Sequence, residues 1–172
     1  MVPGTAHLGY LLDCCALSDM DQCPGLIDLL ASSLTIVSTR LVVAEWPALD
    51  PDRLASVGLT VIDETEEQLA EIAVGRPGLS LADRSALVVA RDGRYTLVTN
   101  DGALHRMAGS AGISRAWAAE LLPLLVTGGL IDRARAVDHV RTMRSGKAGS
   151  TQAMTLVFIR AIRRARGAPP GP

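Results

Sequence analysis

The stretch LSLADRSALVVARDGRYTLVTNDGALHRM, residues 79–107, predicts a helix that leads into a buried strand. Ser80 is a side chain that accepts the first free amides of a helix. Apolar residues recur with the spacing of one helix face, at Ala82, Ala86 and Val89. Residues 92–93 (DG) end the helix, and residues 95–99 (YTLVT) predict a short strand that runs directly towards Asp101.

Asp83 lies on the side of this helix that should face the core. At about 100° per residue, it points in nearly the same direction as Ala86 and Ala90. A buried charge is costly unless it has a partner, and a metal ion is one such partner. The alternative is that Asp83 only completes a capping pair with Ser80.

The charges are distributed unevenly along the 172 residues. Residues 1–101 hold 15 acidic and 6 basic residues, a net charge of −9, whereas residues 102–172 hold 3 and 11, a net charge of +8. This asymmetry suits an acidic metal centre beside a phosphate-binding surface, although helices solvated by arginine would look the same. With 48% hydrophobic residues the chain is expected to be globular.

The cysteines and the hydropathy pattern favour a reducing, cytoplasmic location without a membrane segment. There are three cysteines, two of them adjacent at Cys14 and Cys15, so no disulfide framework is indicated. No apolar run approaches the roughly 18–20 residues of a membrane-spanning helix, and the N-terminus lacks the pattern of a signal peptide.

Strand and helix patterns alternate along the chain and predict βαβ units. Besides residues 95–99, strands are expected at residues 8–12, 34–37 and 59–62. Helices are expected at residues 24–33, after Ser38 or Thr39, and at 64–74, 103–108, 115–126 and 132–144. This order predicts an α/β fold with a central parallel sheet that helices flank on both faces.

Two segments are expected in the domain organisation. Residues 1–145 form the α/β domain, and residues 146–172 form a linker, a basic amphipathic helix and a disordered tail. The basic helix would bind RNA or a partner, or would simply cover the end of the domain.

Four acids should converge at one end of the predicted sheet. Asp13 and Asp101 each follow a strand, Asp83 begins the helix before the last of these strands, and Glu45 lines up with apolar residues of its own helix. Sites in such folds lie at the carboxyl ends of the strands. Mutually repelling carboxylates are stabilised by Mg²⁺ or Mn²⁺, which prefer oxygen ligands and can promote phosphodiester hydrolysis.

These acids lie in segments that resemble the motifs of PIN-domain nucleases, in particular the VapC-type toxin ribonucleases of toxin–antitoxin pairs. The segments are LLDCCAL at 11–17, VVAEW at 42–46, LSLADRSAL at 79–87 and LVTNDGAL at 97–104, followed by VTGGLI at 126–131. The resemblance covers about residues 8–131. It implies a PIN-like domain and a Mg²⁺- or Mn²⁺-dependent endoribonuclease, with RNA as substrate, a cognate antitoxin and a possible homodimer as partners. It also implies that Asp13, Glu45, Asp83 and Asp101 are the catalytic and metal-binding acids.

Further residues are candidates for binding the substrate. They are Arg84, Arg91, Arg106, Thr99 and Asn100. His105 and Arg115 are weaker candidates, and Trp46 and Trp117 are expected in the core rather than as platforms for stacked bases. Cys15 departs from the motif, because a small hydroxyl residue is common two positions after the first acid.

Two rival functions remain beside the nuclease. A phosphatase of the haloacid-dehalogenase kind needs a second aspartate where this chain has Cys15. A PIN-like module with a weakened site would bind RNA or a protein without cleaving it.

Overall fold

A computed structural model describes residues 8–46, 51–56, 58–75, 78–144 and 159. The elements in chain order are β1 (Tyr10–Leu12), α1 (Cys14–Asp21), α2 (Leu26–Ser33), β2 (Ile36–Thr39), α3 (Arg40–Glu45), α4 (Pro51–Ser56), β3 (Thr60–Ile62), α5 (Glu66–Val74), α6 (Leu81–Asp92), β4 (Thr96–Val98), α7 (Gly102–Ser110), β5 (Arg115–Ala116), a 3-10 turn (Ala118–Glu120), α8 (Leu122–Thr127) and α9 (Arg133–Arg144). None of the helices in the described ranges is long and apolar enough to span a membrane.

The five strands form one parallel sheet in the order β3-β2-β1-β4-β5. From β1 the chain moves outwards through β2 to β3, then returns across the sheet to β4 and β5. Because such crossovers are almost always right-handed, the two directions of travel place helices on opposite faces. The predicted α/β fold is confirmed, and the direction of travel changes between β1 and β4.

Apolar side chains hold the sheet between the helical layers. On one face α6 packs against β1, β2 and β4 and contacts α3 and α5. A second group of helices, α1, α2, α8 and α9, is joined by mutual contacts. The central strands contribute Leu11, Leu12, Leu97 and Val98, all with no exposed surface. Burial of each such side chain contributes about 1.5–3 kcal/mol to folding.

The opening stretch forms the elements that its pattern predicts. Ser80 caps α6, and Ala82, Ala86 and Val89 are at most 3% exposed. The helix ends at residues 92–93, and the following strand is buried along its whole length. Helical periodicity and the cap were therefore sufficient to predict this part of the fold.

The close approach of β1 and β2 requires glycine at residue 9. Gly9 precedes β1 with φ +156°, and a Cβ added there would lie 2.5 Å from the Thr35 carbonyl oxygen. Only glycine allows the backbones of β1 and β2 to begin their pairing at this distance.

Three segments differ from the prediction, and one of them is α4 at residues 51–56, where no helix was expected. Residues 14–21 form α1, a helix that the sequence pattern did not indicate. The predicted helix at 115–126 is divided into β5, the 3-10 turn and α8. Arg115–Ala116 lacks an apolar run, and its strand exists because β4 provides an edge with which it pairs.

The predicted C-terminal segment lies almost entirely outside the described residues. Of residues 146–172 only Ile159 is described, in helical conformation and 40% exposed.

Candidate functional site

Asp13 is a buried carboxylate at the carboxyl end of the central strand β1. Its side chain is 1% exposed and caps α1, with Oδ1 accepting the Ala16 N–H at 2.6 Å. Its Oδ2 accepts the hydroxyl proton of Thr99, which follows β4. Asp13 therefore lies at the change of direction in the sheet, where ligand sites of open parallel sheets occur.

The charge of Asp13 is poorly compensated. Burial raises the pKa of this carboxyl from 3.8 to about 7. The hydrogen bonds from Thr99 and Ala16 act in the opposite direction, but the negative charges of Asp83 and Asp101 raise the pKa further. Asp83 and Asp101 are thus each near enough to Asp13 for their charges to act on it.

Asp83 has the capping role that the sequence left as an alternative. Its Oδ2 accepts the Ser80 N–H at 3.2 Å, and its own N–H donates to Ser80 Oγ at 3.1 Å. Asp83 is half-buried, and its charge still affects the pKa of Asp13. The capping box and the interaction with Asp13 therefore occur together.

Asp101 likewise caps a helix while it lies beside Asp13. Its Oδ1 accepts the N–H groups of Ala103 at 2.6 Å and Leu104 at 2.8 Å at the start of α7. The Asp101 N–H donates to Thr99 Oγ1 at 2.9 Å. Thr99 is completely buried and connects Asp101 to Asp13 through one hydroxyl.

Glu45 does not face the core, so its predicted inward orientation is wrong. The residue is exposed at the last position of α3, and its Oε2 accepts the Ser80 hydroxyl at 3.4 Å. The prediction placed Glu45 on the apolar face of a helix that continues past it, whereas Glu45 is the last residue of α3. Glu45 therefore contacts the cap of the helix that carries Asp83, without being part of the buried group.

The oxygen donors fit a hard divalent cation chemically. Each of Asp83 and Asp101 uses one carboxylate oxygen for its cap, and its other oxygen accepts no hydrogen bond from the described residues. Mg²⁺ and Mn²⁺ prefer such oxygens and retain several waters, and a cation would relieve the repulsion at Asp13. Within the described ranges, however, no three His, Cys, Asp or Glu side chains form a ready coordination group. The acids interact through their charges, and their spacing is set by the helix caps.

Glu64 is a residue near the site that the sequence analysis missed. It follows β3, and its Oε1 accepts the Ser85 hydroxyl and the Leu41 N–H, the latter at 3.1 Å. Ser85 is fully buried on α6, two residues after Asp83, and its Oγ lies 2.6 Å from Thr39 Oγ1. An acid within two residues of the end of a predicted strand was the available signal, because Asp13 and Asp101 have the same placement.

Asn100 is held in position by its neighbours. Its Nδ2 donates to Asp19 Oδ2 at 2.6 Å, and its Oδ1 accepts the Ala118 N–H at 3.1 Å. Both ends of the amide therefore join α1 and the turn after β5 to the carboxyl end of β4.

The predicted arginines occupy different surroundings. Arg84 donates to the Ile72 carbonyl at 3.1 Å, and Arg91 forms two bonds with Glu71 at 2.7 and 2.8 Å. Both are directed towards α5. Arg106 is exposed on α7, and its Nη1 lies 3.4 Å from where a Cβ on Gly102 would be. Of these three arginines, Arg106 extends over the turn that begins with Asp101.

Comparison with known proteins finds similar solved structures, one of which is described here by its fold. No family model matches the chain, and no curated protein matches it either. A PilT N-terminus domain protein from the hyperthermophilic archaeon Sulfolobus solfataricus P2 is similar to 72% of this chain and 94% of its own, with 19% identity and a TM-score of 0.49.

Proposed function

We propose that the chain is a divalent-metal-dependent endoribonuclease of the PIN type that hydrolyses RNA phosphodiester bonds. The observation that carries the proposal is the buried Asp13 carboxyl, whose pKa is raised to about 7 beside Asp83 and Asp101. Titratable groups with such perturbed pKa values cluster at functional sites. Their place at the change of direction in a parallel sheet supports the same interpretation.

In this proposal the three aspartates hold Mg²⁺ or Mn²⁺, and Glu45 serves as a further ligand or orients water. A bound cation supplies an activated water and stabilises negative charge on the phosphate. Thr99 fixes the orientation of the Asp13 carboxylate through its hydroxyl. The exposed Arg106 neutralises the phosphate backbone next to Asp101.

The expected biological role follows from the resemblance of the four acidic segments to VapC-type toxins. In that role the enzyme acts in the cytoplasm, a cognate antitoxin binds it, and two copies form a homodimer. A small DNA-binding protein encoded beside this chain would support the role.

A binding module is the second candidate, and a specific observation favours it. Each aspartate of the site caps a helix, and the described acids form no ready coordination group. A chain of this kind would bind RNA or a protein without hydrolysis.

Metal titration combined with cleavage separates the two candidates. Mg²⁺ and Mn²⁺ are titrated calorimetrically into the wild type, Asp101→Asn and the control Asp28→Asn, whose carboxylate is exposed on α2. RNA cleavage is measured on the same samples. The nuclease proposal expects Asp101→Asn to lose both metal binding and cleavage, while Asp28→Asn retains both. Metal binding without cleavage of any RNA would favour the binding module, and a wild type that binds no metal would reject the nuclease.

A further inference from the structure

An aromatic pair lies beside the acidic site. The rings of His105 and Trp117 are stacked, with centroids 4.2 Å apart and planes inclined by 13°. Both side chains are half-buried, so each retains surface in contact with solvent. Such a pair stands out in a chain that has only 3% Phe, Trp and Tyr.

Trp117 is not part of the hydrophobic core, contrary to the prediction. Among the described residues, Trp46 packs against the core cluster, whereas Trp117 is absent from it. The Trp117 N–H donates to Glu120 Oε2 at 2.9 Å, which fixes the backbone that carries the indole. The packing of Trp117 is therefore with His105 at the surface.

Neighbouring groups hold the imidazole in place. Arg115 Nε donates to His105 Nδ1 at 3.2 Å, and the guanidinium of Arg115 covers Gly109, where a Cβ would lie 1.9 Å from Nη1. Burial and the charge of Arg115 lower the pKa of His105, which favours the neutral ring. A neutral ring held at Nδ1 presents a flat π surface and is a poor general acid.

The pair and the acids share the same end of the sheet. His105 lies one helical turn after Asp101, since its N–H donates to the Asp101 carbonyl at 2.9 Å. Trp117 directly follows β5, which pairs with β4. The last hydrogen bond between these strands runs from the Thr99 N–H to the Ala116 carbonyl, at 3.1 Å. If a nucleic acid bound with one phosphate at Asp101, its next nucleotide would lie beside the aromatic pair.

Positive charge also surrounds the pair. Arg106 and Arg115 are exposed, and neither forms an ion pair within the described ranges. Arg40, by contrast, is paired with Asp63, whereas Arg94, Arg133 and Arg135 are exposed arginines without an ion pair in the described part of the chain. Aromatic faces between unpaired cations are the combination by which proteins bind single-stranded nucleic acids.

We propose that the His105–Trp117 pair is a stacking platform for one unpaired base of single-stranded RNA, next to the phosphate held at the acidic site. The inference rests on the proposed function and adds a substrate class to it. A duplex keeps its bases stacked inside and cannot offer one to the pair.

The platform is tested by removing one base from the RNA and the indole ring of Trp117 from the protein, separately and together. Fluorescence anisotropy measures binding of labelled single-stranded oligoadenylate, intact or with one abasic nucleotide at each position in turn. The protein carries Asp13→Asn to prevent cleavage, which is checked on a gel. Within this background Trp117→Leu removes the aromatic face, Trp117→Phe retains it, and Tyr95→Leu removes a half-buried aromatic ring at the opposite end of β4.

The expected results form a thermodynamic cycle. One abasic position weakens binding to the parent by about tenfold, and Trp117→Leu weakens binding of the intact strand by a similar factor, as expected for one stacked base. The two changes together cost no more than either alone, because they remove the same contact. Trp117→Phe and Tyr95→Leu stay within about threefold of the parent, which also controls for folding.

Other results would overturn the platform. Equal affinity of the parent for intact and abasic strands, the same Trp117→Leu loss on both, or no binding of oligoadenylate would each reject it. Cleavage by the wild type without the base–ring coupling would reject the platform and leave the nuclease proposal standing. The coupling without metal-dependent cleavage would support the platform and reject the nuclease.

Discussion

The charged side chains at the two ends of α6 have opposite surroundings. At the N-terminal end, the half-buried Asp83 lies beside the buried Asp13, and no described cation pairs with either. At the C-terminal end, Arg91 forms ion pairs with Glu71 and Asp92 at the surface, each 2.7 Å long. Eight residues, roughly 12 Å along the helix, separate Asp83 from Arg91.

This difference indicates which end is available for chemistry. Charges at the C-terminal end are already neutralised and solvated, so they contribute little to a reaction. At the N-terminal end, the carboxylates of Asp13 and Asp83 repel each other, and burial and the helix caps keep them in place. A bound cation would stabilise both charges. The same helix therefore carries an ordinary surface at one end and the candidate site at the other.

The largest effect is expected at Asp83, for which Asp92 of the same helix is the matched control. Asp83→Asn should reduce metal-dependent RNA cleavage by about a thousandfold, because loss of several kcal/mol of charge stabilisation has that consequence. Asparagine retains an acceptor for the Ser80 N–H, so the cap persists. Asp92→Asn should leave the rate within about twofold, since Asp92 is exposed in the paired cluster. Equal losses of both variants in initial-rate assays would show that the N-terminal end of α6 matters no more for cleavage than the C-terminal end.

The pH dependence of stability should identify Asp13. Its folded pKa of about 7 exceeds the value of 3.8 expected for an unfolded chain, so the folded state binds the proton more tightly. Without metal, the free energy of unfolding should therefore decrease between about pH 4 and 7, by at most about 4 kcal/mol at 1.36 kcal/mol per pKa unit. Urea unfolding at a series of pH values measures this decrease.

Two additions make that measurement specific. Asp13→Asn should flatten the decrease, and added Mg²⁺ should raise the stability of the wild type at pH 8 but not near pH 4, where the carboxyl is protonated. A wild type and an Asp13→Asn variant with the same pH profile would show that another group causes the decrease.

Ser85→Ala tests the connection between the site and the rest of α6. The hydroxyl joins Thr39 to Glu64, and its removal from a buried position should cost about 1–3 kcal/mol. Ser32→Ala, at an exposed serine of α2, should change stability by less than about 0.5 kcal/mol. Similar unfolding midpoints in urea for the two variants would mean that the buried network contributes no stability.

The smallest effect is expected at the C-terminal end of α6. Arg91→Gln should change stability by less than about 1 kcal/mol, and high salt should reduce the change, because an exposed pair is screened. A double-mutant cycle with Glu71→Gln measures the coupling. A coupling well above 1 kcal/mol would show that this end is not the ordinary surface described above.

Local signals in the sequence predicted much of the fold. Ser80 and the apolar spacing of Ala82 and Ala86 located α6, and short apolar runs located the strands that precede Asp13 and Asp101. The alternation of these elements was sufficient for the parallel sheet. The helix α1 was missed because its eight residues are shorter than the window in which helical periodicity is read, although Asp13 provides its cap and Ala16, Leu17 and Met20 lie on its buried face.

Contacts between distant segments decided what the pattern could not. Helical phase directed Glu45 inwards, but α3 ends at that residue and leaves it exposed. The phase of α6 likewise could not reveal that Arg91 would meet Glu71, since that pair depends on how α5 packs against α6. Trp117 stacks on His105 because β5 pairs with β4.

The sequence by itself determined where the acids stand relative to strands and helix starts, because caps and periodicity depend on neighbouring residues. It therefore predicted Asp13, Glu45, Asp83 and Asp101 at one end of a parallel sheet. Only the tertiary structure decided the surroundings of each charge: burial with repulsion at Asp13, ion pairs at Arg91, and exposure at Glu45. Desolvation and charge interactions depend on distances through space, and residues far apart in the chain set those distances.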